Sequence, residues 1–508
     1  MKTRYLITTL LAALVLTVGC DQFEDINSNP DQTTKVTSGM LATGLIKEIS
    51  LIENDYQKYF VYDDILAHYL SWTESNCANM QFNQLERTDF STMTPLRNVS
   101  KMIEYATSDD LKNAYEGLAH FARAYIFFYN TMKVGDIPYS EAIQASDDVF
   151  FPRYDSQKEV IKGLLDELDK ADALFASGAK FDGDFLFNGD CAKWRKAVNV
   201  LQLKILINLY NKTGDADLQV KERFNTIISS RPIFESIDDN LQVLYSSKAG
   251  QIYPLNSQVF SFNTYEVVTS VLIDMLKDLE DYRLFSYASP TPNSVKDGKS
   301  DSDWDSYNGV DHTLTESDII RIQLEGTVSG INDRYENDKV NEPVFLLSYQ
   351  EMNFILAEAA ARGLISKDPK PYYEEGIRSS MSFTAKYTAD QYNHGRVMTG
   401  DYIENYIKSD KVALSSDSET RIEQIICQKF ITNFLQSPGT TFFETRRTGY
   451  PRMGVNPLSN MNVPNDKIPL RWLYPNEELN YNSDNVNAAI SSQFGGTEDF
   501  MGIMWILQ

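Results

Sequence analysis

Cysteine is scarce in this chain of 508 residues, which contains only Cys20, Cys77, Cys191 and Cys427. Four cysteines are too few for the dense disulfide framework that holds small secreted domains together. A chain of this length is instead expected to bury a large apolar core, in one multi-lobed body or a few packed lobes. Cys427 lies in an apolar, helical pattern, which predicts a buried small hydrophobic side chain.

Basic charge and histidine are also scarce. The chain has 71 acidic and 47 basic residues, a net charge of -24, so its average field repels phosphate backbones and offers no polybasic patch to anionic lipids. This excludes nucleic acid as an expected partner. The four histidines have no partner at metal-ligand spacing, and neither HExxH nor CxxC occurs, which excludes the common zinc signatures.

Long apolar runs are absent except at residues 6–18, which follow the basic residues Lys2 and Arg4. The run is too short for a stable membrane span and is typical of a signal peptide. It ends in Gly19 and Cys20, as a lipoprotein signal peptidase requires, although Thr17 stands where Leu is usual. We therefore predict a signal peptide at 1–19, lipidation of Cys20 and a tether at 20–35; the alternative is an ordinary cleaved signal.

Helical periodicity is the strongest pattern that the sequence does contain. Apolar residues recur at spacings of three and four within 111–134, 194–210, 346–362, 371–387 and 422–435. Ser156 and Glu159 form a capping box ahead of another helix, and the small residues Ala357, Ala360 and Ala361 favour close approach of neighbouring helices. The sequence predicts a mainly α protein with tetratricopeptide-like helix pairs, forming a scaffold at 36–235 and 344–448.

Two stretches lack this periodicity. Residues 236–343 scatter Gly, Pro, Asn, Asp and Ser among aromatics, with one helical run at 266–284, and the tail at 449–508 is similarly rich in loops. Long irregular segments within a folded body are commonly functional. We expect 236–343 to form a loop-rich, ligand-binding lobe.

The sequence contains no recognisable catalytic constellation, and we predict that the protein is not an enzyme. Gly298, Lys299 and Ser300 resemble the end of a phosphate-binding loop, but the glycine that should begin it is missing. Asp301, Asp303 and Asp305 alternate as in a calcium loop, yet the following positions lack the required Gly and Glu. Two alternatives remain there, a non-standard Ca²⁺ site and a solvated acidic loop. No other cofactor is expected.

Several short motifs, in order along the chain, resemble the SusD/RagB family of nutrient-binding lipoproteins from Bacteroidetes outer membranes. They include a post-cysteine segment at 23–30, a GDxPYSEA-like turn at 135–142, Pro152-Arg153-Tyr154-Asp155, Lys193-Trp194-Arg195-Lys196-Ala197, the helix at 349–359, Gln428-Lys429-Phe430, a segment at 444–451 and Arg471-Trp472-Leu473-Tyr474-Pro475. In the segment at 444–451 we expect Glu444 to form a buried ion pair with Arg446 or Arg447.

The resemblance implies a protein on the outer membrane, lipid-anchored and facing the exterior, that acts as a hinged lid on a SusC-like, TonB-dependent transporter. It implies capture of an oligosaccharide and delivery for import, without bond cleavage. Two alternatives stay open: a binder of peptides or another nutrient of the same lid type, and a helical-repeat scaffold that binds no ligand.

A glycan site needs flat aromatic rings for the apolar faces of sugars and amide or carboxylate groups for their hydroxyls. Two loops supply this mixture, at 71–79 and at 301–308. The candidate glycan-binding residues are Trp72, Asn76, Asn79, Tyr253, Trp304, Tyr307 and Asn308. The alternative for Trp72 is simple packing beneath its neighbours.

Overall fold

The computed structural model describes residues 36–50, 57–76, 78–145, 148–259, 265–436 and 440–508. The predicted signal peptide, the lipidation site at Cys20, the tether and Cys77 lie outside these residues. The described residues form nineteen α-helices and six short strands. The prediction of a mainly α protein is therefore confirmed.

Elements are numbered here in chain order. The helices before residue 236 are α1 (Ser38–Ser50), α2 (Gln57–Leu66), α3 (Val99–Glu104), α4 (Asp109–Val134), α5 (Gln157–Ser177), α6 (Cys191–Ile207) and α7 (Val220–Ser230). The helices that follow are α8 (Ser270–Asp278), α9 (Leu284–Tyr287), α10 (Pro292–Lys296), α11 (Glu316–Leu324), α12 (Arg334–Asn337), α13 (Tyr349–Ala361), α14 (Pro369–Tyr387), α15 (Gly400–Lys408), α16 (Ser418–Thr432), α17 (Thr440–Thr448), α18 (Asn476–Tyr481) and α19 (Ser483–Phe494). The strands are β1 (Leu70–Trp72), β2 (Ile137–Pro138), β3 (Tyr154–Asp155), β4 (Leu241–Val243), β5 (Glu266–Val268) and β6 (Val344–Leu347), which pair as β1 with β5, β2 with β3 and β4 with β6.

The first helix pair is α4 with α5, which pack along each other. Helix α5 begins at the predicted capping box: the Ser156 hydroxyl accepts from the Glu159 N–H (3.3 Å), and the Glu159 carboxylate accepts from the Ser156 N–H (3.1 Å). The two helices approach closely at Gly117, where an added Cβ would lie 3.1 Å from the Phe175 ring. A larger residue at this position would push against the Phe175 ring, so glycine suits this close spacing.

Helix α6 packs on α5 and carries the fully buried Trp194. Its ring meets Phe121 edge-to-face at a centroid distance of 5.1 Å, and its Nε1–H donates to Asp184 at 2.8 Å. The indole therefore has both an aromatic neighbour and a polar partner, as a buried Trp needs.

The second pair is α13 with α14, and α13 also packs against α16 and α6. Ala357 of α13 is fully buried. At Gly376 of α14 an added Cβ would lie 2.7 Å from the Phe354 ring, so a small residue is needed there too. These close helix pairs agree with the predicted tetratricopeptide-like scaffold.

Two predicted helix boundaries are wrong. The stretch 266–284 is not one helix: Glu266–Val268 pairs antiparallel with Leu70–Trp72, and only Ser270–Asp278 continues as a helix. Likewise, Val344–Leu347 is a strand, and α13 begins after Ser348, whose hydroxyl accepts from the Glu351 N–H (3.1 Å). In both places β-branched or aromatic residues favour the extended backbone, and the pairing strand comes from a distant part of the chain.

The lobe and the tail are both attached to the scaffold. The lobe contains short helices around an apolar cluster that includes Leu276 and Phe285 and that it shares with scaffold residues such as Ile65 and Phe430. The tail returns to the scaffold, where the Ile506 N–H donates to the buried Gln157 side chain at 3.0 Å. The proposed division of the chain into scaffold, lobe and tail stays a prediction.

A buried ionic cluster joins α13, α16 and α17. The Arg447 guanidinium donates to both oxygens of Glu358 (2.6 and 2.8 Å) and to Glu444 (2.5 Å). Burial raises the pKa of Glu444, but the charges of Arg447 and Lys429 outweigh this and lower it to about 2. Of the two partners predicted for Glu444, Arg447 is the one that pairs with it in the structure, whereas Arg446 donates to backbone carbonyls.

The described cysteines, Cys191 and Cys427, are both free. Cys191 is buried, but Cys427 is only partly buried, because it lies at the edge of the buried face of α16. Within the described ranges, no helix combines the length and apolar composition that crossing a membrane requires.

Candidate functional site

The structure buries Trp72, the first predicted sugar-stacking residue. Its side chain is 2% exposed, its backbone N–H donates to Gln81 (2.9 Å), and Gln81 donates back to its carbonyl (3.0 Å). One face of the indole stacks on Tyr265 at a centroid distance of 6.0 Å, and Nε1–H donates to Glu74 (3.3 Å). Trp72 therefore offers no free ring to a ligand in this conformation, because it closes the apolar core beneath β1.

Tyr253 and Tyr307 are buried as well, at 0% and 1% exposure. The Tyr307 hydroxyl donates to the Asp301 carbonyl (2.7 Å) and lies 2.9 Å from His394 Nδ1. Burial raises the pKa of the Tyr307 hydroxyl, so it stays a neutral donor. These tyrosines hold the lobe together and present no ring surface, in contrast to the role predicted for them.

The three predicted asparagines lie at separate places. Asn76 is exposed, and its N–H donates to Glu316 (2.8 Å). Asn79 is partly buried at the start of a 3-10 turn. Asn308 is exposed and donates to the Thr327 carbonyl (3.1 Å). Their contact with a ligand stays a prediction.

The predicted calcium loop exposes its three carboxylates, those of Asp301, Asp303 and Asp305. Throughout the described part of the chain, no three or more His, Cys, Asp or Glu side chains converge as a metal site would require. The non-standard Ca²⁺ site therefore remains a prediction without a converging ligand set.

Trp304 is the predicted residue that the structure places in an aromatic surface. Its ring is partly buried and meets Phe285 edge-to-face at 4.8 Å and Tyr282 at 6.2 Å. Tyr282 in turn stacks on Tyr402, with centroids 3.8 Å apart and planes inclined by 12°. We call the partly buried group of Trp304, Tyr282, Tyr402 and Arg396 the aromatic platform.

Arg396 connects the 301–308 loop to Tyr282 within the aromatic platform. Its Nε and Nη2 atoms donate to the Ser302 carbonyl (2.9 and 2.7 Å), and Nη1 donates to the Tyr282 hydroxyl (3.1 Å). Its guanidinium carbon also lies 5.2 Å from the centre of the Tyr282 ring and 5.9 Å from that of Trp304, within cation–π range. One arginine thus ties the 301–308 loop to the helices behind it.

A buried ion pair beneath the aromatic platform anchors it to the scaffold. Arg283 and Asp281, both fully buried, pair at 2.5 Å. The Tyr406 hydroxyl also donates to Asp281 (2.6 Å), and Arg283 donates to Gln428 of α16 (2.7 Å). These contacts hold Tyr282, the adjacent residue, in a preformed position, which lowers the entropic cost of binding a ligand there.

Chemically, the aromatic platform combines flat aromatic faces with the exposed carboxylates of the 301–308 loop. The sequence identified Trp304 and its acidic neighbours but missed Tyr282, Tyr402 and Arg396. Tyr282 lay within a predicted helical run, and Tyr402 and Arg396 are far away in the chain, so no local pattern linked them to Trp304. Folding alone brings them together.

The chain is similar to known proteins over nearly its whole length. Residues 30–475 match a SusD-like family model described as starch-binding and associating with the outer membrane. A SusD homologue from Bacteroides fragilis is 41% identical, with a TM-score of 0.90, covering 93% of this chain and 100% of that chain. A search of curated proteins returned no match.

Two further solved structures share this fold. An outer membrane protein of Bacteroides vulgatus, described as involved in nutrient binding, is 35% identical with a TM-score of 0.83, covering 93% of this chain and 100% of that chain. A chitin-binding SusD homologue from Flavobacterium johnsoniae is 19% identical with a TM-score of 0.73, covering 93% of this chain and 98% of that chain. At that identity the second similarity shows the fold alone.

Proposed function

This chain belongs to the SusD-like family, and from that premise we propose that it binds an oligosaccharide at the outer membrane and delivers it to a SusC-like, TonB-dependent transporter. The family is a nutrient-binding, outer-membrane-associated one. The oligosaccharide, the transporter and the exterior orientation belong to the proposal. Binding without bond cleavage is the activity that we assign to the chain.

The observation that supports an oligosaccharide ligand is the aromatic platform. Sugar rings present apolar C–H faces, which pack on flat aromatic rings, and hydroxyls, which need acceptors and donors around the rim. Trp304 supplies the partly exposed ring, and Asp303 and Asp305 supply exposed acceptors beside it. The chitin-binding relative from Flavobacterium johnsoniae makes amino-sugar oligomers a natural first group to test.

The test is calorimetric titration of the mature chain carrying Cys20→Ala, which removes only the predicted lipid attachment point, against panels of oligosaccharides and peptides. We expect saturable binding of one oligosaccharide class, weakened at least about tenfold, or about 1.4 kcal/mol, by Trp304→Ala. Tyr481→Ala is the matched control, because Tyr481 is 76% exposed on α18, outside the aromatic platform, and its loss should leave affinity unchanged.

Two results would count against this function. Binding of peptides but of no oligosaccharide would assign the chain to the other nutrient class. Equal losses in Trp304→Ala and Tyr481→Ala would show that the aromatic platform is not the site.

The lipid anchor at Cys20 is supported by the signal-peptide pattern alone. Metabolic labelling with palmitate in a bacterial host that carries the lipoprotein pathway should label the wild-type chain and not Cys20→Ala. Labelling of both proteins would refute the assignment. Crosslinking on intact cells tests the transporter, since a SusC-like protein should be recovered with the chain.

A further inference from the structure

A cleft of about 440 Å³ opens where the end of α2, α17 and the tail meet, apart from the aromatic platform. Its walls come from the end of α2 and the turn after it, from α17, and from the tail on both sides of the 454–467 loop. Residues that represent these walls are Leu66, His68, Phe442, Arg446, Met453 and Leu470. The volume is large enough for a small organic molecule.

The charge of this cleft is opposite to that of the whole chain. Arg446 and Arg452 line it, and no Asp or Glu does. The chain as a whole has a net charge of -24. A cleft lined only by cationic charged groups in so acidic a protein favours an anionic ligand.

Arg446 has no carboxylate partner among the residues that the structure describes. The buried guanidinium groups of Arg447, Arg283 and Arg334 each lie within 2.6 Å of a carboxylate oxygen. Arg446 forms no ion pair with any residue that the structure describes, and it donates only to the carbonyls of Leu470 (2.7 Å) and Met132 (2.9 Å). An enclosed cation without a counter-ion is costly, and a ligand carboxylate would remove that cost.

The described residues around Arg446 accept hydrogen bonds from only some of its N–H groups. Burial lowers the pKa of its guanidinium to about 9, which still leaves it charged at neutral pH. A guanidinium has five N–H groups, and the Nε–H has no acceptor among the described residues. Its capacity for hydrogen bonds therefore exceeds what the protein supplies.

Two further polar atoms of residues that line the cleft have no hydrogen-bond partner within the described part of the chain. His68 is only 5% exposed, and its Nδ1 has no hydrogen-bond partner among the described residues. The Thr445 hydroxyl is likewise buried and unpartnered there. Because both atoms are fully buried, they lie behind the wall of the cleft, and a ligand within it would not reach them.

The remaining walls are apolar. Leu66, Phe442, Pro451, Met453 and Ile468 are among the apolar residues of the lining. A sugar ring placed there would leave hydroxyls without partners, which costs free energy for each one. An aliphatic or aromatic body would instead gain from burial.

We propose that this cleft binds a small organic acid with an apolar body, whose carboxylate accepts hydrogen bonds from Arg446. The site differs in place and chemistry from the aromatic platform. It therefore stands whether or not the platform binds an oligosaccharide.

The probe is 4-phenylbutyrate, which joins one carboxylate to an apolar chain and ring. It is titrated into the mature Cys20→Ala chain beside 4-phenylbutan-1-ol, which has the same body without the charge, and D-glucuronate, which has the charge without the apolar body. We expect saturable binding of 4-phenylbutyrate and binding at least about tenfold weaker for the other two compounds.

Three variants locate the site. Arg446→Gln should weaken the binding of 4-phenylbutyrate at least about tenfold. Thr445→Val keeps the shape of the side chain and the backbone contacts of Arg446, and because the Thr445 hydroxyl is buried behind the wall of the cleft, it should change affinity by less than about twofold. Arg321→Gln is the matched control, because Arg321 is 56% exposed on α11 and does not line the cleft, and its loss should change affinity by less than about twofold.

Four results would overturn the proposal. One is absence of saturable 4-phenylbutyrate binding, and another is equal affinity for the acid and the alcohol. The third is unchanged affinity in Arg446→Gln, and the fourth is preference for D-glucuronate. Preference for D-glucuronate would replace the apolar acid by a sugar acid and would refute the apolar assignment. Oligosaccharide binding measured on the same samples reports on the aromatic platform separately.

Discussion

Arg447→Met tests whether the buried ionic cluster holds α13 to α17. The Arg447 side chain is 2% exposed, and its partners Glu358 and Glu444 are 0% and 6% exposed. The methionine fills a similar space but leaves two buried carboxylates without their main cation. Removing one partner of such a cluster generally costs about 3–5 kcal/mol.

The expected loss lies at the lower end of that range. Glu358 keeps Arg362 at 2.7 Å, and Glu444 keeps Lys429 at 3.4 Å, so neither carboxylate is left wholly unpaired. We expect the free energy of unfolding to fall by about 3 kcal/mol, a substantial part of the roughly 5–15 kcal/mol that stabilises a typical protein. Urea unfolding at pH 7, followed by far-UV circular dichroism, measures this loss.

Arg321→Met is the matched control. Arg321 also faces two carboxylates, Asp318 at 3.3 Å and Glu325 at 2.7 Å, but its side chain is 56% exposed. Exposed pairs contribute about 0–1 kcal/mol, so this variant should be nearly as stable as the wild type. Equal losses in the two variants, or a loss below about 1 kcal/mol in Arg447→Met, would refute the reasoning from burial.

Lowering the pH should reduce the difference in the free energy of unfolding between the wild type and Arg447→Met. The folded-state pKa of Glu444 is about 2, below its ordinary 4.5, because Arg447 and Lys429 outweigh burial. Stability from a lowered carboxylate pKa is complete above the unfolded pKa and is lost as pH falls toward the folded one. The free energies of unfolding of the two proteins should therefore converge between about pH 4.5 and pH 2. A constant difference between these free energies over that range would contradict the role of Glu444.

Three further changes test other parts of the fold. Ser156→Ala removes the cap of α5 and should cost about 1 kcal/mol in urea unfolding; no change would show that the cap is redundant. Gly163→Ala, normally stabilising within a helix, should instead destabilise by about 1–3 kcal/mol, because the new Cβ would lie 2.3 Å from the Tyr139 ring; a raised melting temperature would contradict this. Burial and the neighbouring His312 lower the pKa of His68 from 6.5 to about 3. Between these pH values His68 is protonated in the unfolded chain and neutral in the folded chain. The free energy of unfolding therefore falls as pH drops from about 6.5 toward 3. His68→Asn should flatten that part of the stability–pH curve, and a curve as steep as that of the wild type would refute it.

The helical scaffold was predictable because its cause is local. The apolar spacing at 111–134 and the capping pair Ser156 and Glu159 fix helices within a few residues of where the structure has them. The strands were less predictable, because β5 and β6 are stabilised by β1 and β4, which lie far away in the chain. Long-range pairing leaves only weak local patterns.

The candidate site shows the same contrast between what local sequence predicts and what long-range packing decides. Aromatic side chains in loops identified Trp72 and Trp304 equally well, since composition does not show which face of a loop is covered. The fold buries Trp72 beneath Tyr265 and leaves Trp304 partly exposed beside Tyr282 and Arg396.

Taken by itself, the sequence determined the helical class, the acidic character, the signal-peptide pattern and the resemblance to one family, because each depends on residues close together or on composition. Tertiary structure decided which aromatic rings face solvent, which of two adjacent arginines is paired, and where an uncompensated cation lines a cleft. Arg446 and Arg447 show the reason: neighbours on one helix point in different directions, and only packing from distant segments decides that Arg447 meets Glu358 while Arg446 meets backbone carbonyls.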